Sequence, residues 1–354
     1  MTKIFLRING RGNAWPVPLG QEHPFYSPNL GEDYANASFS IIEIEGDSIT
    51  KETIKWEVLI DGGHGIVPFL LKYNNRIPEA IVLTHPHIDH ILGIDWIIQS
   101  YYRFNDKKLY PVYATKPCWD KLISTFPHLQ KAVNFIELRH GIETKIEGIA
   151  ELKIIPYPVY HGESAPGASL LSFQVTTKSG KTEKVVFSGD LLLPLLRKTD
   201  YGYLNNAAYF ITDGNNRFPY PRTNHWSITD SPQITAGIDF FNTWKAELIP
   251  LNLIAPHIHM DERIEENPYF SVFMEEEKKE FNLPFNVFEF VKRIKPQNTL
   301  LVHYSGWEDK KYHQQDILNE IQLQNWIDKE ATKKNIPTRF IVPKVGETFL
   351  LLTS

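Results

Sequence analysis

The sequence predicts an α/β layered protein. Three observations carry that reading: short β-branched and apolar runs recur along the chain, amphipathic stretches of helical period fall between them, and no internal repeat or low-complexity linker interrupts the succession. The 354 residues are 42% hydrophobic and 22% charged, enough apolar material for one sizeable core, so a single domain over 1–354 with an insertion is expected.

The elements follow in order. Ile4–Ile8 is a first strand, and the glycines and prolines of Gly10-Arg11-Gly12-Asn13-Ala14-Trp15-Pro16-Val17-Pro18 turn the chain after it. Ser38–Ile44 and Trp56–Ile60 are the next strands, and Asp61-Gly62-Gly63-His64-Gly65 forces another tight turn. Val67–Tyr73 has helical spacing. Ala80–Leu83 is a continuous apolar run too short for a helix, and Asp89–Tyr101 carries a helical apolar face of Leu92, Trp96 and Ile97. Strands are predicted at Leu152–Pro156, Ser169–Thr176, Lys184–Phe187 and Tyr209–Thr212, then a helix over Pro232–Asn242, started by Ser231-Pro232. Residues 243–296, punctuated by Pro250, Pro256, Pro268 and Pro284, read as an insertion before the strand Thr299–Val302, serving as a lid or a subunit contact, with a helix at Val287–Ile294. The helix Gln314–Lys334 and the strands Thr338–Ile341 and Thr348–Leu352 close the chain.

Composition narrows the function. The single cysteine, Cys118, excludes internal disulfides and cysteine-rich zinc sites, so any metal must rest on His, Asp and Glu. The N-terminus lacks the layout of a signal peptide, and no apolar run approaches a membrane span, so cytoplasmic residence is the default. The net charge of −5 and the lack of a Lys/Arg block argue against a large nucleic-acid partner, while a homodimer is compatible with the sequence.

One stretch points to chemistry. Thr84-His85-Pro86-His87-Ile88-Asp89-His90 follows the apolar run directly and packs three imidazoles and a carboxylate into six residues. Alternate residues of an extended segment point the same way, so His85 and His87 can share an ion. Asp89 and His90 come where the chain turns into a helix, and they can meet a second ion. Asp89 alone is equally an N-cap. Strand and helix formation do not ask for three such histidines. Further ligands for a two-metal site should sit at strand ends. His161, Asp190 in Ser188-Gly189-Asp190, and His303 before Tyr304-Ser305-Gly306 all do so. Taken singly, each is also readable as an ordinary strand-end or turn residue.

As an ordered set these residues resemble the metallo-β-lactamase fold superfamily of metal-dependent hydrolases. The resemblance implies a four-layer αββα sandwich with two divalent ions, zinc first, with manganese or iron as alternatives. It implies that His85, His87 and His161 hold one ion, that Asp89, His90 and His303 hold the other, and that Asp190 bridges. Gly12-Asn13-Ala14-Trp15 with Asn36-Ala37-Ser38 resembles the opening of the ribonuclease Z-like and cyclic-nucleotide phosphodiesterase branch. Asp213-Gly214 followed by Asn224-His225-Trp226-Ser227 resembles that branch's late histidine motif, in which the histidine faces the substrate phosphate. His225 is therefore expected to protonate a leaving oxygen, with Asp89 guiding the nucleophile's proton. Alternatively, His225 packs under the following helix.

The expected function is hydrolysis of a cyclic nucleotide or other small phosphodiester by hydroxide formed between two ions. A tRNA 3′-processing endoribonuclease and a lactonase or thioesterase are the alternatives, and a non-catalytic metal-binding protein ranks last. A diiron oxygen- or nitric-oxide-reducing role fits poorly, because that branch has a carboxylate where this chain has His87. Trp15, Trp226 and Tyr304 are candidates for stacking on a base, and His64 for lining the pocket. Pro256-His257-Ile258-His259-Met260-Asp261-Glu262 imitates the first motif but ends in Glu within the insertion, so it reads as lid or subunit contact rather than a second metal site.

Overall fold

Alternation along the strands sorts the apolar side chains onto opposite faces of two sheets, and that sorting builds the layers. The computed structural model describes residues 2–26, 34–162, 164–177, 180–196, 198–220, 223–229 and 286–353. The first half of the chain runs β1 (Thr2–Gly10), β2 (Ser38–Glu45), β3 (Ile54–Ile60), α1 (Ile66–Tyr73), β4 (Ala80–Val82), α2 (Ile88–Ile91), α3 (Ile94–Phe104), β5 (Tyr110–Ala114), α4 (Lys116–Thr125), β6 (Val133–Glu137), β7 (Thr144–Ile146) and β8 (Ile149–Tyr160). It continues through β9 (Ser169–Thr176), β10 (Thr182–Phe187), β11 (Leu193–Pro194), α5 (Lys198–Leu204), β12 (Tyr209–Asp213), α6 (Val287–Ile294), β13 (Asn298–Val302), α7 (Trp307–His313), α8 (Glu320–Lys333), β14 (Arg339–Ile341) and β15 (Thr348–Thr353).

One sheet has the order β15-β1-β2-β3-β4-β5-β6 and the other β11-β8-β9-β10-β12-β13-β14, with β7 beside β8. In each, one half is antiparallel and the other parallel: β3 to β6 in the first, β10 to β14 through β12 and β13 in the second. Val58, Ile60 and Val82 of the first sheet pack with Phe173, Val185, Phe187 and Leu300 of the second in the central apolar layer. Their neighbours Leu59 and Ile81 face the other way and bury Ile66 and Phe69 of α1, Ile97 of α3 and Leu122 of α4. On the far side, Val186, Phe210 and Leu301 bury Phe288 and Val291 of α6 and Leu323 and Ile327 of α8. These three apolar layers between helix, sheet, sheet and helix are the expected αββα sandwich.

Several elements differ from the sequence reading. Between Phe104 and Leu138 the chain forms β5, α4 and β6, where none is predicted; Pro111 and Pro117 interrupt the apolar pattern of β5 and α4. The expected helix Asp89–Tyr101 is two helices, broken at Gly93, whose N–H donates to Gly62 O at 2.8 Å. A Cβ at Gly93 would lie 2.3 Å from Ile66 Cγ2, so only glycine permits this approach. Asp89 does not cap: the N-cap position belongs to His87, and no side-chain capping bond forms. The last long helix starts at Glu320 rather than Gln314, since Asn319 and Gln322 form a capping box there. The expected helix Pro232–Asn242, residues 243–285 of the expected insertion, and His257 and His259 lie outside the described residues. Residues 286–296 do not loop out, since α6 buries Val287, Phe288, Phe290, Val291 and Ile294 in the core.

Candidate metal centre

Parallel strands place their carboxyl ends along one edge, and the polar residues singled out by sequence gather there. His85–His90 follow β4, His161 follows β8, Asp190 follows β10, Asp213 ends β12 and His303 follows β13. Pairing of Asp213 with Val302 sets Asp213 next to His303, and the His303 N–H donates to Arg11 O at 2.8 Å, tying the second sheet's edge to the end of β1. His303 holds φ 64°, an uncommon conformation for a residue with a side chain.

His85, His87 and His161 form one group, with potential ligand atoms all within 4.8 Å of one another. Their hydrogen bonds decide which nitrogen faces inward. Thr84 Oγ1 donates to Asp61 Oδ2 at 2.6 Å, so it accepts from His85 Nδ1 at 3.0 Å. His85 Nε2 is then a buried lone pair without a partner. His161 Nδ1 donates to the Asn224 carbonyl at 2.7 Å, leaving its Nε2 as a lone pair 3.1 Å from His87 Nδ1. His87 can give its Nε2–H to Ser164 Oγ at 2.7 Å. Three inward lone pairs suit a cation, and neutral imidazole nitrogens suit zinc or a similar borderline ion. Burial, helped by the neighbouring imidazoles, lowers the pKa of His85 and His161 well below the usual histidine value. The donor set is therefore deprotonated, as coordination requires.

Asp89, His90, Asp190 and His303 form a second group on the same distance criterion. His90 Nδ1 donates to Asp61 Oδ2 at 2.8 Å and turns Nε2 toward Asp190 and Asp89 at 3.3 and 3.5 Å. His303 Nε2 lies 3.1 Å from Asp190 and 3.5 Å from Asp89. Asp190 Oδ2 is also 3.9 Å from both His85 and His161, a position between the two groups. Burial opposes charge on His303, but Asp190, Asp89 and Asp213 outweigh it and push its pKa up to about 10. Burial likewise resists ionisation of Asp190, and the positive field of His303 and His90 holds its carboxyl well below the usual range. Protons here balance carboxylate charge that a divalent cation would balance on binding.

His225 completes the edge. Its Nδ1 lies 2.6 Å from Asp213 Oδ2, and its ring stacks on His303 at 5.2 Å and meets His161 edge-on at 4.8 Å. Asp213 is itself fixed: its N–H donates to Ser188 Oγ, its Oδ1 accepts from Asn215 N–H, and its carbonyl accepts from Trp226 Nε1. His225 borders a cavity of 1150 Å³ together with Trp15, His64, His87, Asp89, Asp190 and His303; the helix it was alternatively expected to pack under lies outside the described residues.

Sequence reasoning passed over Asp61 and Asp213 as functional groups. Both stand at strand ends beside a glycine, the kind of position that singled out Asp190, yet only the fold shows that each carboxylate reaches imidazoles distant in sequence. Two stacking candidates are corrected. Trp226 is buried with its indole N–H bound to Asp213 O, and Tyr304 is fully buried among the residues packed with α8, so neither presents a face to the cavity. Trp15 and His64 do line it.

Residues 57–217 match the model of the beta-lactamase superfamily domain. The chain is 32% identical over 124 residues to a beta-lactamase-like protein 2 homolog of Caenorhabditis elegans, a stretch covering 35% of this chain and 34% of that protein. The match thus spans about a third of the curated relative. Among solved structures, a diphosphatase from the PhnP family superposes with a TM-score of 0.58 at 17% identity, covering 99% of this chain and 100% of that one. The metallo-beta-lactamase fold protein YhfI from Bacillus subtilis gives 0.54 at 14% identity, covering 98% and 99%. A long-form RNase Z from yeast gives 0.53 at 11%, covering 98% of this chain and 42% of the other.

Proposed function

This chain has the metallo-β-lactamase fold, and from that premise we propose that it is a metal-dependent phosphodiesterase acting on a cyclic nucleotide or another small phosphodiester. His85, His87 and His161 would hold one divalent ion and Asp89, His90 and His303 the other, with Asp190 shared; zinc suits the donors best, and manganese or iron also fit. Such ions supply Lewis acidity toward phosphoryl oxygens and bring the pKa of a water toward neutrality.

The chain's own contribution is proton transfer at the leaving oxygen. Asp213 fixes His225 through Nδ1, which leaves Nε2 as the atom that can hand a proton into the cavity. The ring lies between His161 of one metal group and His303 of the other, so a phosphoryl group spanning both would present its departing oxygen to it. This placement of His225 is the observation that carries the reading. Asp89, facing His90 and His303 from the cavity wall, is positioned to orient the attacking group and accept its proton.

The test is turnover of bis(p-nitrophenyl) phosphate, a panel of cyclic nucleotides, a lactone, a thioester and a precursor tRNA by the metal-loaded protein. Phosphodiester cleavage is expected, with His225→Ala lowering turnover by roughly 10²–10⁴ while metal content stays constant. Cleavage confined to the lactone or thioester, or to tRNA, overturns the proposal, and unchanged turnover in the variant removes His225 from its role.

A further inference from the structure

The candidate metal groups share their cavity with a strap of chain, Trp15 through Leu19, joined by Ile88 and Leu92, the first residue and the C-cap of the helix that carries Asp89 and His90. Trp15 is 76% exposed, Ile88 50% and Leu92 43%, and Leu19 is fully exposed. Large apolar side chains grouped at the mouth of a polar site gain roughly 25 cal/mol per Å² when a ligand covers them.

The strap is built to stay in place. Asn36 Nδ2 donates to Asn13 O, and its Oδ1 accepts the His64 N–H at 2.8 Å, so one side chain pins two loops of the cavity wall. Gly12 N–H donates to Ala35 O and Ala37 N–H to Gly12 O, both at 2.9 Å. Pro16 and Pro18 restrict the backbone further. A preformed wall loses little conformational freedom on binding, so its apolar contacts are retained as affinity. The ionisable side chains among the described lining residues are histidines, aspartates and Tyr34, with no lysine or arginine among them. A second anionic group held against the strap would surrender hydration with no lysine or arginine of the described lining to pair with, whereas an uncharged ring would not.

We propose that Trp15–Leu19, Ile88 and Leu92 form a subsite for an uncharged aromatic substituent, so that the site selects singly charged diesters over those carrying a second phosphate. The choice of a diester rests on the phosphodiesterase reading; the subsite itself does not.

The test is equilibrium binding to the metal-loaded protein, by calorimetry, of dimethyl phosphate, diphenyl phosphate, and diphenyl phosphate bearing one added ring phosphate. Diphenyl phosphate is expected to bind at least about tenfold more tightly than dimethyl phosphate, about 1.4 kcal/mol, and the added phosphate to weaken binding. Trp15→Ala and, separately, Leu19→Ser should erase most of that ratio with metal content unchanged. Equal binding of the first two probes, tighter binding of the third, or an unchanged ratio in both variants overturns the subsite. If diphenyl phosphate binds in a Trp15-dependent manner while no phosphodiester is cleaved, the subsite stands and the phosphodiesterase reading falls.

Discussion

His85, His87, His90 and His161 each have one ring nitrogen tied down by a hydrogen bond. Asp61 ties two of them, directly through His90 Nδ1 and through Thr84 Oγ1 for His85, and it does so from a left-handed backbone with φ 53°. That conformation costs of order 1 kcal/mol or more in a residue with a side chain and persists only where surrounding bonds hold it. The amide of Thr84 supplies one such bond to Asp61 Oδ1 at 2.8 Å. A different histidine offers a pH prediction. His23 is buried, with Nδ1 accepting the Phe25 N–H at 3.1 Å and Nε2 donating to Ser305 O at 2.7 Å. Burial lowers its pKa, and the Ser305 carbonyl only partly offsets this. Its stabilising contribution is therefore present above the unfolded value of about 6.5 and lost as pH falls through the lower folded value. The difference in urea-unfolding free energy between wild type and His23→Gln should shrink from pH 7.5 to pH 5.5. A difference that stays constant or grows would exclude this assignment.

At the scale of elements, the metal loop sits where it does because two glycine turns let it approach. A Cβ on Gly63 would lie 1.6 Å from Asp89 O and 2.9 Å from Asn36 Cβ, so any side chain there must push α2 or the strap loop away. Gly63→Ala is expected to cost about 1–3 kcal/mol in stability, the range for overpacking, and to weaken metal binding by displacing Asp89. Gly202 within α5 is the contrast, since a Cβ there meets nothing within 4 Å. Gly202→Ala should stabilise the fold by up to about 1 kcal/mol, leaving metal content unchanged. Unfolding curves and metal analysis of the two variants decide the matter; equal effects would remove the steric explanation. The break at Gly93 belongs to the same geometry, because it turns Asp89 and His90 toward the edge while α3 continues over the outer face of the sheet.

At the scale of the whole molecule, three apolar layers hold two sheets whose carboxyl ends meet at one edge, and the candidate metal groups draw residues from both sheets. Ions bound there would crosslink the sheets, so removing them should lower stability. At a free ion concentration a thousandfold above the dissociation constant, the loss is about 4 kcal/mol. A chelator-treated sample is therefore expected to melt lower than the loaded one and to recover when zinc is restored; coincident melting curves would argue against ions held between the sheets. Much of this was legible in the chain. The apolar runs of β1, β4 and β10 and the His85–His90 cluster are local patterns, and alternation and spacing are local physics that a sequence displays. His161, Asp190 and His303 were legible as strand ends beside glycine. The elements β5 and α4, whose prolines disguise them, and β6 were not, nor was the split at Gly93, because burial against partners distant in sequence stabilises them. The carboxylates Asp61 and Asp213 show the same limit from the side of the site. By itself the sequence determined the layered α/β class and singled out the His and Asp residues that the fold gathers into groups able to hold a metal ion. Only the tertiary structure decided which nitrogen of each imidazole faces inward, that His225 lies between the two metal groups, and that Trp15 lines the cavity while Trp226 and Tyr304 are buried. Those outcomes depend on hydrogen bonds and packing between segments that meet only when the two sheets close.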